Sequence, residues 1–223
     1  MRDQLEKGGM TCLDVGCGKG IHYAIFAEKF PQSNFTGIDI TPDAIRLAKQ
    51  QKKENGEPFD NLEFIQMDGS KMDKEWSNKY DLVTIFNAAH DQMRPDLRFC
   101  NRPSRVLENL LANLNNLAVR VRLFQCLDST FPFQCLKEIY RILKPGGIFA
   151  MCEVNGTSNI YKDKQEIGDD AASEYVISLF HCLPVGSNSK DALGLGAMWG
   201  KERAVKLIKE AGFKNVTVIP TPY

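Results

Sequence analysis

The residues whose types and spacing best fit ligand chemistry form a glycine-rich turn near the start of the chain. From residue 13 the sequence reads Leu-Asp-Val-Gly-Cys-Gly-Lys-Gly, so Asp14 precedes alternating glycines at Gly16, Gly18 and Gly20, with Cys17 between the first two. Glycines let the backbone turn sharply and let a ligand approach main-chain amides, and the N-terminus of a following helix favours negative charge. A dinucleotide fingerprint needs G-x-G-x-x-G. The G-x-G-x-G spacing here instead favours a small, zwitterionic, adenosine-containing ligand over a pyrophosphate.

Two carboxylates follow the next strand-like segments. Asp39 lies 23 residues after Gly16, where a doubly wound fold presents an acid to a ribose diol. Asp68 and Gly69 follow the third such segment and are expected beside an adenine ring. We expect all of these ends to converge on the crevice outside the carboxyl edge of one parallel sheet.

The elements that must position these residues alternate between β-like and helical patterns, and this alternation predicts an α/β fold. The expected architecture is a Rossmann-like, doubly wound, mainly parallel sheet with helices on both faces. Short apolar runs predict strands at Thr11–Val15, Asn34–Ile40, Leu62–Met67, Tyr80–Phe86, Ile148–Val154 and Phe213–Ile219. Helical spacing of apolar residues predicts helices over 21–30, 136–143, about 169–180 and 201–211. A further helix is predicted to begin at Pro42, with Thr41 as its N-cap.

Five motifs in this order and spacing resemble those of the class I S-adenosylmethionine-dependent methyltransferases. The likeness covers nearly all of the chain outside 98–134, and its motifs are residues 14–20, 37–40, 67–69, 80–83 and 143–147. The resemblance implies that the cofactor is S-adenosylmethionine. It also implies a methyl-transfer activity at the carboxyl edge of the sheet.

The same resemblance implies roles for individual residues. The turn residues Gly16, Cys17, Gly18 and Gly20 would wrap the methionine portion, and Asp14 would support the turn and bind near the amino acid. Asp39, followed by Ile40, would hold the ribose hydroxyls. Asp68 would accept from the adenine amine with Gly69 flanking the ring, and Asn87 would line the side that faces the methionine.

A narrower likeness, at residues 87–92, 178–184 and 194–200, is to an uncharacterised methyltransferase subgroup that usually carries an N-terminal winged-helix region. That upstream region is expected to be missing, because the first predicted strand begins near residue 11. A seventh strand, which in this fold pairs between strands five and six, also has no sequence after Tyr223. A homodimer is possible for full-length relatives, and the two missing parts, with the open sheet edge that they leave, put one in doubt here.

The best candidate for a general base is His90, which follows the fourth strand and has a reference pKa near neutrality. Asp91 beside it could raise that pKa or orient the ring; alternatively, His90 is a loop histidine that packs against the cofactor. Met198 and Trp199 fit either an apolar substrate pocket or a cap on the last helix. Apolar residues between 155 and 198 favour a small acceptor. Two rival functions stay open, a non-catalytic S-adenosylmethionine-binding pseudoenzyme and, less favoured by the glycine spacing, a nucleotide-dependent oxidoreductase.

Residues 98–134 do not follow the α/β rhythm of the remaining chain. They hold five arginines and no lysine, with Glu108 and Asp128 as their acids. One interpretation is a surface insertion over the active site. The interpretation we prefer is extra coding sequence, from a translated intron or a wrongly delimited gene, that interrupts one methyltransferase domain spanning 1–223.

Composition excludes several classes of protein. The chain has 223 residues, with 28 Lys plus Arg against 28 Asp plus Glu, and this balance argues against nucleic-acid binding by bulk charge and against a polybasic membrane anchor. The N-terminus lacks a signal peptide, which predicts a cytoplasmic protein. Seven cysteines without a CxxC pair predict buried thiols. The sequence has no His/Asp cluster at ligand spacing, so we expect no metal site.

Overall fold

A computed structural model describes residues 1–91, 134–187 and 194–219. Its centre is a sheet in which every paired strand is parallel to its neighbour. The strands are β1 (Thr11–Val15), β2 (Asn34–Asp39), β3 (Leu62–Gln66), β4 (Tyr80–Phe86) and β5 (Leu143–Cys152). This architecture confirms the predicted α/β fold with a parallel sheet.

Helices lie before, between and after these strands. They are α1 (Arg2–Lys7), α2 (Ile21–Lys29), α3 (Pro42–Ala48), α4 (Gln134–Ile142), α5 (Ile160–Glu166), α6 (Asp170–Ile177), α7 (Leu183–Gly186) and α8 (Lys201–Glu210). A π-helical turn, Ser178–Cys182, joins α6 to α7. Within the described ranges, none of the helices is long and apolar enough to cross a lipid bilayer.

The strand order places a crevice beside β1. The sheet runs β3-β2-β1-β4-β5, so the chain builds outward from β1 in one direction and then crosses to β4 on the other side. Loops after β1 and β4 therefore leave the sheet in opposite directions, and ligands of doubly wound folds bind at such a switch point, outside the carboxyl ends of the strands. The glycine-rich turn follows β1 directly.

The core occupies both faces of the sheet, because side chains alternate along each strand. Leu13 and Val15 of β1 pack with Ile139 of α4 on one face. Cys12 packs with Tyr23 of α2 on the other. The residues of α4 that are buried recur at helical spacing, namely Cys135, Leu136, Ile139 and Ile142. The sheet edge that carries the site is thus held between two apolar layers.

The bounds of the fifth strand differ from the prediction of Ile148–Val154. The strand begins at Leu143, which pairs with Tyr80, while the next pairing joins Ile148 to Leu82. Extra residues in β5 therefore bulge between these two pairs. Because the bulge contains a proline and a glycine at φ 84° (Gly146), the sequence pattern there resembles a turn rather than a strand.

The predicted sixth strand, Phe213–Ile219, is wrong: these residues carry no strand assignment. Phe213 is nevertheless 1% exposed and packs on Tyr140 and Phe149. The resemblance places a seventh strand between strands five and six, and the described residues contain none, so the segment has no ladder to join. Phe213 is therefore buried as a strand residue would be, although the segment pairs with no strand among the described residues.

Two further predictions, the helix over about 169–180 and the insertion at 98–134, have different outcomes. The helix expected over about 169–180 is a continuous run of α6, the π-helical turn and α7, preceded by α5. Of the segment 98–134, only Gln134 falls among the described residues, where it begins α4. The interpretation of that segment as an insertion stays a prediction.

Candidate functional site

The glycine-rich turn is fastened to the end of β2. The backbone N–H groups of Gly16 and Cys17 both donate to the carbonyl of Ile38, at 2.8 and 2.9 Å. The glycines have φ values of 75° (Gly16), 54° (Gly18) and 75° (Gly20). This left-handed region is open to glycine at little cost, and it allows the chain to reverse from β1 into α2 within five residues.

The glycines of this turn serve different purposes. A Cβ on Gly20 would lie 2.2 Å from the Phe64 ring, so this glycine lets α2 begin against the core. A Cβ on Gly18 would meet nothing within 4 Å. Cys17 is 7% exposed and packs with Phe64 and Ala48, so its side chain faces the core rather than the cleft. The open space above Gly18 is the part of the turn that a ligand can approach.

Asp39 connects the turn to the next helix. Its Oδ2 accepts from the N–H of Gly18 at 2.9 Å, and its Oδ1 accepts from the N–H of Thr41 at 2.9 Å. The carboxylate is half-buried, and a carboxylate offers about four acceptor positions, so two remain for a diol. Ile40, also half-buried, follows it at the same edge.

The end of β3 lies against the end of β2. The N–H of Met67 donates to the carbonyl of Asp39 at 2.9 Å, which brings the following residues to the same edge of the sheet. Asp68 turns one oxygen onto its own loop, where Oδ1 accepts from the N–H and the hydroxyl of Ser70 at 2.8 and 2.7 Å. Gly69 between them is buried.

Asp14 lies beneath the turn in the α2 face of the sheet. It is 1% exposed, and its Oδ1 accepts from the Thr84 hydroxyl at 2.9 Å, while the Tyr23 hydroxyl lies 3.1 Å from Thr84. Burial raises the pKa of Asp14 to about 8, although the Thr84 hydrogen bond opposes the rise, and the nearby charge of Asp39 adds to it. The Asp14 carboxyl group therefore contacts Thr84 of β4 rather than the turn itself, and its burial favours the neutral form.

The end of β4 completes the edge beside the turn. Asn87 is exposed, adopts φ 47°, and donates its N–H to the carbonyl of Cys152 at 2.8 Å. His22 packs its ring on Phe86 with centroids 4.4 Å apart, and burial lowers the pKa of His22. The histidine of α2 thus has a packing contact.

His90 is buried in a cluster of polar side chains at the tip of β4. It is 4% exposed; its Nδ1 lies 2.5 Å from Oε2 of Glu153, and its Nε2 lies 3.3 Å from Sγ of Cys182 and 3.6 Å from Oδ1 of Asp91. Burial lowers the pKa of His90, but the hydrogen bonds to Cys182 and Glu153 and the charges of Glu153 and Asp91 outweigh it and raise the pKa to about 11. Burial also raises the pKa of Asp91.

Glu153 is the residue of this cluster that sequence reasoning missed. Its Oε1 accepts from the N–H of Ala89 at 2.8 Å, and its Oε2 lies 3.4 Å from Nε1 of Trp199. Trp199 is 2% exposed and belongs to the core, as does the 4% exposed Met198, so neither forms an open pocket. An acid immediately after β5, at the same edge as Asp39, is the signal that could have identified Glu153.

Comparison with known proteins identifies this arrangement. The family model described as a methyltransferase domain matches residues 6–212. The chain belongs to the methyltransferase-domain family. This membership confirms the resemblance given by the sequence, and the cofactor is S-adenosylmethionine. The open space above Gly18 and the two acceptor positions left on Asp39 fit such a group.

Individual relatives match parts of the methyltransferase domain. Cycloartenol-C-24-methyltransferase 1 of Oryza sativa subsp. japonica is 28% identical over 207 residues, which are 89% of this chain and 47% of the relative. Ribosomal protein L11 methyltransferase of Burkholderia thailandensis is 47% identical over 53 residues, which are 24% of this chain and 17% of the relative. The chain thus spans less than half the length of these two curated relatives.

A solved structure supports the fold. The structure comes from Nostoc punctiforme PCC 73102, and its protein is provisionally named an O-methyltransferase. It superimposes with a TM-score of 0.56 at 17% identity, covering 92% of this chain and 46% of that one. At this identity the likeness shows the fold alone.

Proposed function

We propose that the protein transfers the methyl group of S-adenosylmethionine to a small acceptor that binds at the tip of β4. The observation that carries this proposal is the open position at Gly18, beside the half-buried Asp39 and at the switch point between β1 and β4. Family membership supports the methyl-transfer chemistry. The identity of the acceptor and the activity of the whole protein are parts of this proposal.

The bound cofactor supplies a sulfonium methyl group that is already activated for displacement. The protein therefore has to bind, orient and align, which are effects of proximity. In this proposal the Gly16–Gly20 turn lines the methionine portion through the open space at Gly18, and Asp39 accepts from the ribose hydroxyls. Asp68 has its Oδ2 left for the adenine amine, since Oδ1 is taken by Ser70.

The acceptor side of the cleft is assigned to the helices that follow β5. Segments α5, α6 and the π-helical turn carry exposed apolar side chains: Ile160, Tyr161, Val176, Ile177, Leu179 and Phe180. Exposed apolar side chains on successive helical elements are typical of a binding surface. It favours a small apolar acceptor, and the cycloartenol in one relative's name is of that chemical kind. The other relative is named for a ribosomal protein, so a macromolecular acceptor is the outcome to be tested against.

Base catalysis by His90, with Asp91 beside it, stays a prediction. Nδ1 is already engaged by Glu153, so an acceptor proton would have to reach Nε2, where Cys182 and Asp91 now lie. A base is needed only for acceptors that are protonated at neutral pH. The contacts of His90 therefore support a positioning role first, in which His90 fixes the tip of β4.

The test is transfer of labelled methyl groups into a fractionated cell extract. The full chain is incubated with methyl-labelled S-adenosylmethionine, and label is counted in small-molecule, protein and RNA fractions. We expect label in the small-molecule fraction with the wild type and with Asp43→Ala, an exposed substitution on α3, and a large loss with Asp39→Asn. Label in the protein or RNA fraction would contradict the small acceptor but not the methyl transfer. Cofactor binding without transfer to any fraction would identify a pseudoenzyme.

A further inference from the structure

Three potential metal ligands meet at the tip of β4. Nε2 of His90, a carboxylate oxygen of Asp91 and Sγ of Cys182 all lie within 4.8 Å of one another. His90 and Asp91 follow β4, whereas Cys182 ends the π-helical turn of the segment after β5. The cluster therefore exists only in the folded chain, and this is why the sequence pattern predicted no metal site.

Two of the three spacings within the cluster match those around a tetrahedral ion, and the third, between Asp91 and Cys182, lies within 4.8 Å. Zinc binds cysteine sulfur at about 2.3 Å, imidazole nitrogen at about 2.0–2.1 Å and carboxylate oxygen at about 2.0–2.2 Å, so tetrahedral ligand atoms lie roughly 3.3–3.6 Å apart. His90 Nε2 is 3.3 Å from Cys182 Sγ and 3.6 Å from Asp91 Oδ1. Asp91 Oδ1 is also buried without a hydrogen-bond partner. Buried polar atoms are rarely left so, and a cation would satisfy this one.

Glu153 supplies the outer contact that a metal-binding histidine requires. Such histidines almost always donate their other ring N–H to a carboxylate or carbonyl, which fixes the tautomer and aims the free nitrogen at the ion. Here Nδ1 of His90 lies 2.5 Å from Glu153 Oε2. Glu153 is itself held by the Ala89 N–H and lies near the Trp199 indole N–H. Nε2 of His90 is thereby directed towards Cys182 and Asp91.

We propose that His90, Asp91 and Cys182 bind one zinc ion, with Glu153 orienting His90. A thiolate with an imidazole selects zinc over magnesium or calcium, which prefer oxygen ligands. Binding forms bonds from the metal to Nε2, the carboxylate and Sγ, and releases to solvent the thiol proton and any proton on Nε2. Three protein ligands leave a fourth position for water or for an acceptor atom. The ion would also join the β4 tip to the π-helical turn.

The first experiment measures metal content and cobalt spectra of the full chain purified without chelators. We expect one equivalent of zinc per chain and, after exchange with Co²⁺, a thiolate-to-cobalt charge-transfer band with tetrahedral d–d bands. Cys182→Ser should abolish the charge-transfer band. Cys152→Ser, which changes a half-buried thiol beside Glu153 but outside the cluster, should retain both the zinc and the band.

A second variant tests the role of Glu153 without removing a ligand. Glu153→Gln should weaken zinc binding about 10–100-fold in a competition titration with a chromophoric chelator. If Cys182→Ser does not fold by circular dichroism, Asp91→Asn takes its place, and its cobalt d–d bands should shift in energy because an oxygen ligand has changed.

Two outcomes would overturn the zinc site. In the first, the folded wild type retains no zinc and gives no cobalt spectrum, while Cys182 is alkylated rapidly whether or not zinc is present; a Cys182–His90–Glu153 nucleophilic triad would then be the better description. In the second, one equivalent of zinc is bound but survives both Cys182→Ser and Asp91→Asn unchanged, so the ion is held elsewhere in the chain.

Discussion

Replacing Gly18 by alanine separates cofactor binding from folding. Gly18 adopts φ 54°, and a Cβ there would meet no protein atom within 4 Å. The substitution therefore costs only the strain of a left-handed residue, about 1–2 kcal/mol, while the new methyl group enters the space assigned to S-adenosylmethionine. Gly56→Ala is a matched control, because Gly56 adopts φ 83° with the same open surroundings but lies in the turn between α3 and β3, at the opposite edge of the sheet.

Thermal unfolding with and without the cofactor provides the measurement. A ligand present at 100 times its Kd stabilises a protein by about 2.7 kcal/mol, and about 2–4 °C of Tm corresponds to each kcal/mol at this chain length. The wild type should therefore gain about 5–10 °C. Both variants should lose a few degrees without ligand, but Gly56→Ala should keep the gain and Gly18→Ala should lose most of it. Equal gains in the two variants would refute the placement of the cofactor above Gly18.

Three further predictions concern stability. Asp14 has a pKa of about 8 in the native state against an ordinary value of 3.8. Between these pH values the unfolded chain binds fewer protons than the native one, so the free energy of unfolding falls as pH rises, by up to about 1.4 kcal/mol per pH unit. Asp14→Asn should flatten this slope in urea titrations at several pH values, and an unchanged slope would contradict the burial argument. Gly20→Ala should lower stability more than strain alone requires, because its Cβ meets Phe64. The same substitution should cost less in a Phe64→Ala chain, and an equal cost in both chains would contradict the contact. Phe213→Ala should cost about 3–5 kcal/mol since Phe213 is 1% exposed, whereas Val218→Ala, at a 53% exposed position, should cost little; equal costs would show that Phe213 anchors nothing.

Local patterns predicted the elements that surround the cofactor cleft. The strands Thr11–Val15 and Tyr80–Phe86 have the predicted bounds, because each is a short run, largely apolar, between turn residues. The turn at Gly16–Gly20 and the acid Asp39 also meet as expected. These features depend on neighbours in sequence, and the order of a doubly wound sheet brings them together.

Features that depend on distant partners were not predictable in this way. Phe213–Ile219 has strand-like residues, but a strand also needs a neighbour to pair with, and none is present in the described part of the chain. The cluster of His90, Glu153 and Cys182 joins residues up to 92 positions apart. Its members follow different elements, so their approach is a property of the tertiary fold.

Isothermal titration calorimetry of the full chain with S-adenosylmethionine, and separately with a nicotinamide dinucleotide, tests the central claim most directly. The G-x-G-x-G turn and family membership predict saturable binding of one S-adenosylmethionine per chain and no saturable heat from the dinucleotide. A folded protein that binds the dinucleotide, or that gives no saturable heat with S-adenosylmethionine, would contradict the assignment of this cleft.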